Sequence, residues 1–389
     1  MTKRRIIMNR KEFEINGVPA LMLGDESENV YLFVHGQFGR KEEAEGFAGI
    51  AVPLGYQVLS IDLPEHGART DGKKLLPWEA VPEIEDVLKY LSDSGKKISL
   101  TAVSIGAWFS MTAAENFHIE KALLISPILD MHGLILGMMA ANNVTEDMLR
   151  REGEIKTADG TVLSQDYLTY AAEHPMNVGN VPVSVLYGEN DAMTSRKTLD
   201  DFAARSGASV TVMDGGEHWF HTDEQVTFMR KWQEESVRMK IYSYFDTDSE
   251  KQADIAAQIE KCDWAAAKTL ADILKNGRFD ELLGGGRLFI MENSGKLAAF
   301  LTLTHTDSIR DDTLFPWIGF VFTVPEYRGH RYSGQLIGHA CAAAASDGYD
   351  TVWLNTDHVG LYEKYGFEYI GGRIDIYGEN ARLYRRSLV

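Results

Sequence analysis

Continuous runs of apolar, largely β-branched residues recur through the first half of the chain, at 31–34, 57–61, 98–103, 121–125 and 183–187. Each ends at a turn signal. Runs of this length suit strands buried on both faces of a parallel sheet. Helical patterns lie between them, at 83–94 and 198–206. Strand alternating with helix predicts the α/β class, a mainly parallel sheet covered by helices. One interval breaks the rhythm. Residues 126–181 are too many for a plain crossover and carry helical patterns of their own at 134–141 and 164–173. The stretch 129–180 reads either as a small helical cap over a pocket or as an ordinary pair of packed helices.

An amphipathic pattern at 223–238 closes this half, and the pattern then restarts. A strand at 241–245 is followed by helices at 251–260 and 264–276, and by two strands within 287–304 around an Asn-Ser-Gly turn, a hairpin signal. A strand over 317–324 leads into a turn of small and basic residues, then an apolar helix over 335–345 and a strand at 351–354. The domains expected are 1–238 and 239–389, packed closely, because no flexible linker marks the boundary.

The length of 389 residues agrees, since single cores rarely grow beyond about 250–300 residues. A net charge of −18 argues against a nucleic-acid partner, which needs a clustered basic surface. Cys262 and Cys341 lie far apart with no CxxC or Cys/His pattern, which argues against a disulfide framework and a metal site. The basic start at Met1 has no apolar segment after it, and no run of about 18 apolar residues occurs anywhere. The expectation is a cytoplasmic protein without a membrane partner.

Chemistry enters at four strand ends. The strand at 98–103 runs into Ala102-Val-Ser-Ile-Gly106, which opens a helix. A serine on so sharp a strand-to-helix turn is held strained with its oxygen exposed, and only small residues fit two positions to either side. The helix N-terminus adds N–H groups for a developing oxyanion. Alanine at 102, where glycine is usual, weakens the pattern without breaking it. His35-Gly36-Gln37 follows the first buried strand, in a turn that can aim a backbone N–H at a carbonyl, so Gln37 and Ile105 are the expected oxyanion donors. Asp191 follows the strand at 183–187, and His218 follows another strand exit after two glycines. The order Ser104, Asp191, His218 places a nucleophile, an orienting carboxylate and a base at successive strand ends. Glu189 and Glu217 are rival acids. Trp108, Met138 and Met139 are candidates for an acyl pocket, with core packing the favoured reading of Trp108.

Residues 18–236 therefore resemble the α/β-hydrolase family, in its esterase and lipase branch. His35-Gly36 matches that family's oxyanion loop, and Asp62-Leu-Pro-Glu-His-Gly67 resembles its Asp-x-Pro-x-His-Gly turn, to which no catalytic role is assigned. The resemblance implies hydrolysis of a small-molecule acyl ester through an acyl-enzyme, with no cofactor and no metal.

In the second half, Val324-Pro-Glu-Tyr-Arg-Gly-His-Arg-Tyr-Ser-Gly334 opens the apolar helix, and a turn of this kind at a helix start can cradle phosphate. With Leu361-Tyr-Glu-Lys-Tyr-Gly-Phe367, it resembles the GNAT-type N-acetyltransferases over roughly 240–389. That resemblance implies an α+β fold with a mixed sheet and an acetyl-CoA site at Val324, Arg328, Gly329, His330, Arg331, Tyr332, Ser333 and Gly334. It also implies Tyr362 as general acid and an amine acceptor that the sequence does not identify. The family loop reads Arg/Gln-x-x-Gly-x-Gly/Ala. Here Arg331 and Ser333 replace the two later small residues, and Arg331 either blocks the pyrophosphate or pairs with it. No base stands out on the strand at 317–322, and Asp357 and His358 are weak candidates. Three readings follow: a bifunctional hydrolase and acetyltransferase; a hydrolase whose C-terminal domain is a CoA-sensing or structural module; and a non-enzymatic scaffold, which has no need of the triad residues.

Overall fold

The structure is a computed structural model and describes residues 8–388 apart from Asp159, Asn180 and Arg310. The basic N-terminal stretch and the end of the 129–180 insert at Asn180 lie outside the described residues. Contacts divide the chain into two compact units, one holding residues up to 201 and 211–234, the other 202–210 and 235 onward.

The N-terminal part of the chain begins with a hairpin, β1 (Arg10–Ile15) and β2 (Val18–Leu23), which the apolar pattern did not announce. The elements then alternate: β3 (Asn29–Val34), α1 (Ala44–Ala51), β4 (Gln57–Ile61), α2 (Pro77–Asp93), β5 (Lys97–Val103), α3 (Ile105–Ala113) and β6 (Ala122–Ile125). The long insert contains α4 (Met131–Ala141), α5 (Glu146–Glu152), a small hairpin of β7 (Glu154–Lys156) and β8 (Val162–Ser164), and α6 (Gln165–Glu173). It is thus more than the two helices read from the sequence. β9 (Val183–Gly188), α7 (Arg196–Ser206), β10 (Ser209–Met213) and α8 (Asp223–Arg238) follow. The strands form one eight-stranded sheet in the order β1-β2-β4-β3-β5-β6-β9-β10. β3 pairs in parallel with both β4 and β5, and β5, β6 and β9 continue in parallel. The reversal of direction from β3 to β4 on one side and β5 on the other is where α/β sheets open a crevice at their C-terminal edge. β4 and β6 are buried at every residue, as strands covered on both faces should be.

The second unit is α+β. β11 (Met239–Ser243), α9 (Ser249–Glu260), α10 (Ala265–Lys275) and α11 (Phe279–Leu283) precede the hairpin of β12 (Gly286–Asn293) and β13 (Lys296–Thr304). β14 (Trp317–Thr323), α12 (Tyr332–Ser346), β15 (Thr351–Thr356), β16 (Glu368–Ile374) and β17 (Asn380–Ser387) complete it. The sheet order is β11-β12-β13-β14-β15-β17-β16, and it is mixed, since β14 and β15 run parallel while the other pairs run antiparallel. The hairpin turn has positive φ at both Ser294 and Gly295, the geometry that matches strand twist. The period of two along β12 sorts the core: Phe289 and Met291 join Leu336, Ile337 and Ala340 of α12 on one face. Leu288 and Ile290 join Ile255 and Leu270 of α9 and α10 on the other. β14 and β15 pair only at Trp317 and Trp353, so their C-terminal halves part and leave a gap in the sheet.

Candidate active sites

The tip of β5 sets the first site. Ser104 stands between β5 and α3 at φ 52° and ψ −121°, a strained conformation for a residue with a side chain. Its neighbours explain the sequence pattern. A Cβ on Gly106 would lie 2.2 Å from the His35 carbonyl oxygen, so no larger residue fits. A Cβ on Gly36 would lie 3.2 Å from Cβ of Ser104, so the His35-Gly36 turn abuts the nucleophile. Ala102 lies fully buried in β5, and the strand accepts it.

Three of the residues expected at this site come together. Ser104 Oγ is 2.9 Å from Nε2 of His218, and Nδ1 of His218 is 2.8 Å from Oδ2 of Asp191. Asp191 Oδ1 accepts the N–H groups of Met193 at 2.7 Å and Thr194 at 3.0 Å, which fixes the carboxylate plane. The Asp191 side chain is fully buried. The rival acids have other partners: Glu189 accepts the Gly215 N–H at 2.8 Å, and Glu217 faces His221. Glycine at 188 and 216 lets the acid and base loops touch, because a Cβ on Gly188 would lie 2.5 Å from the Glu217 carbonyl oxygen.

The turn carrying Gln37 is closed by the Gly39 N–H donating to the Gly36 carbonyl at 3.1 Å. The Asp62–Gly67 loop holds it. Phe38 N–H donates to Nε2 of His66 at 2.8 Å, and Leu63 N–H donates to Nε2 of His35 at 3.1 Å. His35 Nδ1–H in turn donates to the Gly36 carbonyl at 2.7 Å. Burial pushes the His35 imidazole down to about 4, so it stays neutral, as an acceptor at Nε2 must. Asp62 is fully buried. Burial alone would raise its carboxyl, but the N–H groups of Ala68 and Lys41 and the Lys41 ammonium outweigh this and hold it below its ordinary value. The loop that the sequence left without a catalytic role is therefore a brace for the Gly36–Gly39 turn.

Thr194 is a residue the sequence did not single out. It is buried, and its hydroxyl donates to the Pro127 carbonyl at 2.8 Å. Its own carbonyl accepts the Tyr187 hydroxyl at 2.9 Å. The next residue after Pro127, Ile128, donates its N–H to the Ser104 carbonyl at 3.2 Å. One short segment thus ties the Asp191 loop to the Ser104 turn. No sequence signal marks this, because the partners are backbone groups. Of the acyl-pocket candidates, Trp108 and Met139 are core residues, with Trp108 Nε1–H bonded to the His174 carbonyl at 3.0 Å, while Met138 is half-buried on α4.

A family model for the alpha/beta hydrolase family matches residues 31–230, just over half of the chain. The chain belongs to the alpha/beta hydrolase family. A second model, for the acetyltransferase (GNAT) family, matches residues 238–367. This alpha/beta hydrolase chain is also similar to several solved structures. Est1E from Butyrivibrio proteoclasticus, solved with ferulic acid, is 17% identical, with 58% of this chain and 97% of that one covered at a TM-score of 0.47. Alpha/beta hydrolase domain-containing protein 10 from mouse is 17% identical, covering 58% and 96% at 0.46. The Pyrococcus furiosus esterase Pf2001 is 16% identical, covering 61% and 94% at 0.44. No curated protein matches the chain by sequence.

In the C-terminal unit, a cavity of about 600 Å³ lies at the C-terminal end of β14. Of the residues expected there, Arg328, Gly329, Arg331, Tyr332, Ser333 and Tyr362 line it, with Asp263, Trp264 and His358. Val324, His330 and Gly334 stand in the same segment but outside the lining; Asp357, the other weak base candidate, is also outside. Gly334 has a structural reason, since a Cβ there would lie 2.6 Å from the Tyr365 ring. The helix starts at Tyr332, three residues earlier than the apolar pattern suggested, because Arg331 takes the left-handed conformation at φ 57° and caps it. Glycine in the family loop would adopt that conformation without strain. Burial pushes the Tyr362 phenol up to about 12. Among the described residues no helix is long and apolar enough to cross a membrane.

Proposed function

We propose that the N-terminal domain is a serine hydrolase that cleaves a carboxylic ester or a related acyl bond, with Ser104, His218 and Asp191 as its triad. The observation that carries this reading is the unbroken contact from Ser104 Oγ through both ring nitrogens of His218 to Asp191. His218 Nε2 takes the proton of Ser104 as Oγ attacks the acyl carbonyl. Asp191 holds Nδ1–H and stabilises the imidazolium. The N–H groups of Gln37 and Ile105 receive the oxyanion. In support, neither N–H has a protein acceptor among the described hydrogen bonds. Collapse of the adduct expels the alcohol with the proton from His218. Water, deprotonated by His218, then attacks the acyl-enzyme and frees the acid. The test is turnover of an ester panel by the full chain and by Ser104→Ala. Loss of at least about 10³-fold in the variant is expected, and equal rates would refute the triad.

The C-terminal domain is read as an acetyl-CoA-dependent N-acetyltransferase acting on an amine. The chemistry of the cavity fits the cofactor: Arg328 and Arg331 stand beside the N–H groups that open α12, a set that matches a pyrophosphate. Acetyl-CoA would supply the acetyl thioester. Tyr362, a lining residue whose phenol burial pushes up to about 12, is read as the donor of a proton to a leaving thiolate. The alternative, a CoA-sensing or structural module, is favoured by the lack of a base on β14. Calorimetric titration of the full chain with acetyl-CoA, followed by an amine panel, separates the two readings. Binding with no acetylated product would leave the module.

A further inference from the structure

Two large aromatic side chains on the loops that reach Ser104 are largely exposed. Phe38 is the second central residue of the Gly36–Gly39 turn and sits at φ 68°, the left-handed region that costs a bulky residue about 1 kcal/mol or more. Its ring recovers none of this by packing, because it is 90% exposed. Trp219 directly follows His218 and is 74% exposed, its ring stacked, among the described residues, on His221 with centroids 4.8 Å apart and planes at 23°. Tryptophan is normally among the more buried residues, and a glycine would suit position 38 better on conformational grounds alone. The two rings branch from separate loops that converge on one atom group. The turn of Phe38 begins at Gly36, whose added Cβ would meet Cβ of Ser104 at 3.2 Å, and Trp219 is bonded to the residue whose Nε2 lies 2.9 Å from Ser104 Oγ.

We infer that Phe38 and Trp219 are specificity residues, and that the hydrolase domain takes esters carrying a planar aromatic group next to the scissile carbonyl. This rests on the hydrolase reading above. Each ring is a flat, solvent-facing surface on a loop that reaches Ser104, available to a bound acyl group whose carbonyl faces Ser104. Aromatic pairing adds about 0.5–1.5 kcal/mol beyond the area it buries, which is roughly 2–12-fold per ring. A saturated ring of the same size gains the area without the pairing. The turn needs the left-handed backbone at position 38, but nothing in the packing needs a phenylalanine there rather than a glycine.

The test compares kcat/KM for a benzoyl and a cyclohexanecarbonyl ester of one alcohol, each divided by its rate with hydroxide. Wild type is expected to prefer the benzoyl ester by at least roughly fivefold, the lower bound for two rings. Phe38→Leu and Trp219→Leu keep apolar bulk without an aromatic face, and a leucine at position 38 would carry the same backbone strain. Each should lower the preference by roughly 2–12-fold. A ratio near one in wild type, or a ratio unmoved by both variants, overturns the inference. So does a preference for straight alkyl chains over both rings. These outcomes are distinct from failure of the hydrolase reading, in which Ser104 reacts with no fluorophosphonate and no ester is turned over.

Discussion

Lowering the pH from 7.5 to 5 should weaken the hydrolase domain through His35. Its Nε2 accepts the Leu63 N–H and its Nδ1–H is spent on the Gly36 carbonyl, so a second proton would set one donor against another in a fully buried site. Burial depresses the group from 6.5 to about 4. Between those values the unfolded chain binds the proton and the folded chain does not, so stability rises with pH across the window. The contribution is complete above about 6.5, declines as the pH falls below it, and levels off below about 4. The whole depression is worth about 3 kcal/mol, of which about 2 kcal/mol is lost by pH 5. Urea unfolding of wild type and His35→Gln at a series of pH values gives the difference, which removes the other titrating groups, the depressed His339 included. The expected result is a loss of about 2 kcal/mol in wild type beyond that of the variant. Equal losses in the two proteins, or an imidazole signal of His35 that titrates near 6.5 by NMR, would refute the reasoning.

Three further outcomes follow from the geometry. Thr194→Val removes the hydroxyl bond to Pro127 that ties the acid loop to the nucleophile turn, and kcat should fall roughly tenfold with KM within about twofold, Thr194→Ser restoring it; an unchanged kcat would rule out a positioning role. Gly334→Ala places a methyl group 2.6 Å from the Tyr365 ring. Alanine ordinarily favours a helix over glycine by about 1 kcal/mol, so a fall of a few degrees in the C-terminal melting transition by calorimetry would report the clash, and a rise would show that Tyr365 yields. Tyr362→Phe should leave acetyl-CoA affinity within about threefold while lowering acetyl transfer at least tenfold, and equal transfer rates would remove Tyr362 as the acid.

The first candidate site was legible because close backbone approaches force small residues into fixed places. Gly106 under the His35 carbonyl, Gly36 against Ser104, and Gly188 against the His218 loop each left a mark that no packing pattern would produce. The bracing of that site was not legible. Thr194, His66 and Asp62 act through bonds to backbone groups distant in sequence, and single residues carry no trace of such partners. Most buried strands were visible as apolar runs, although β2 was missed despite its burial, while β1 and β16 were missed because both are largely exposed and read as polar or mixed segments. The short hairpin in the insert was hidden for a related reason, since β7 and β8 have only three residues each. In the C-terminal domain the loop before α12 was read correctly as a turn into a helix. The start of that helix was placed late, because a left-handed arginine is a rare cap that no propensity anticipates.

The central claim is that Ser104 is activated by His218. Intact-mass measurement of the full chain after treatment with a fluorophosphonate tests it directly, beside Ser104→Ala and His218→Ala. The account predicts one adduct per wild-type chain and none in either variant; a wild-type chain that stays unlabelled, or a Ser104→Ala chain that labels equally, would contradict it.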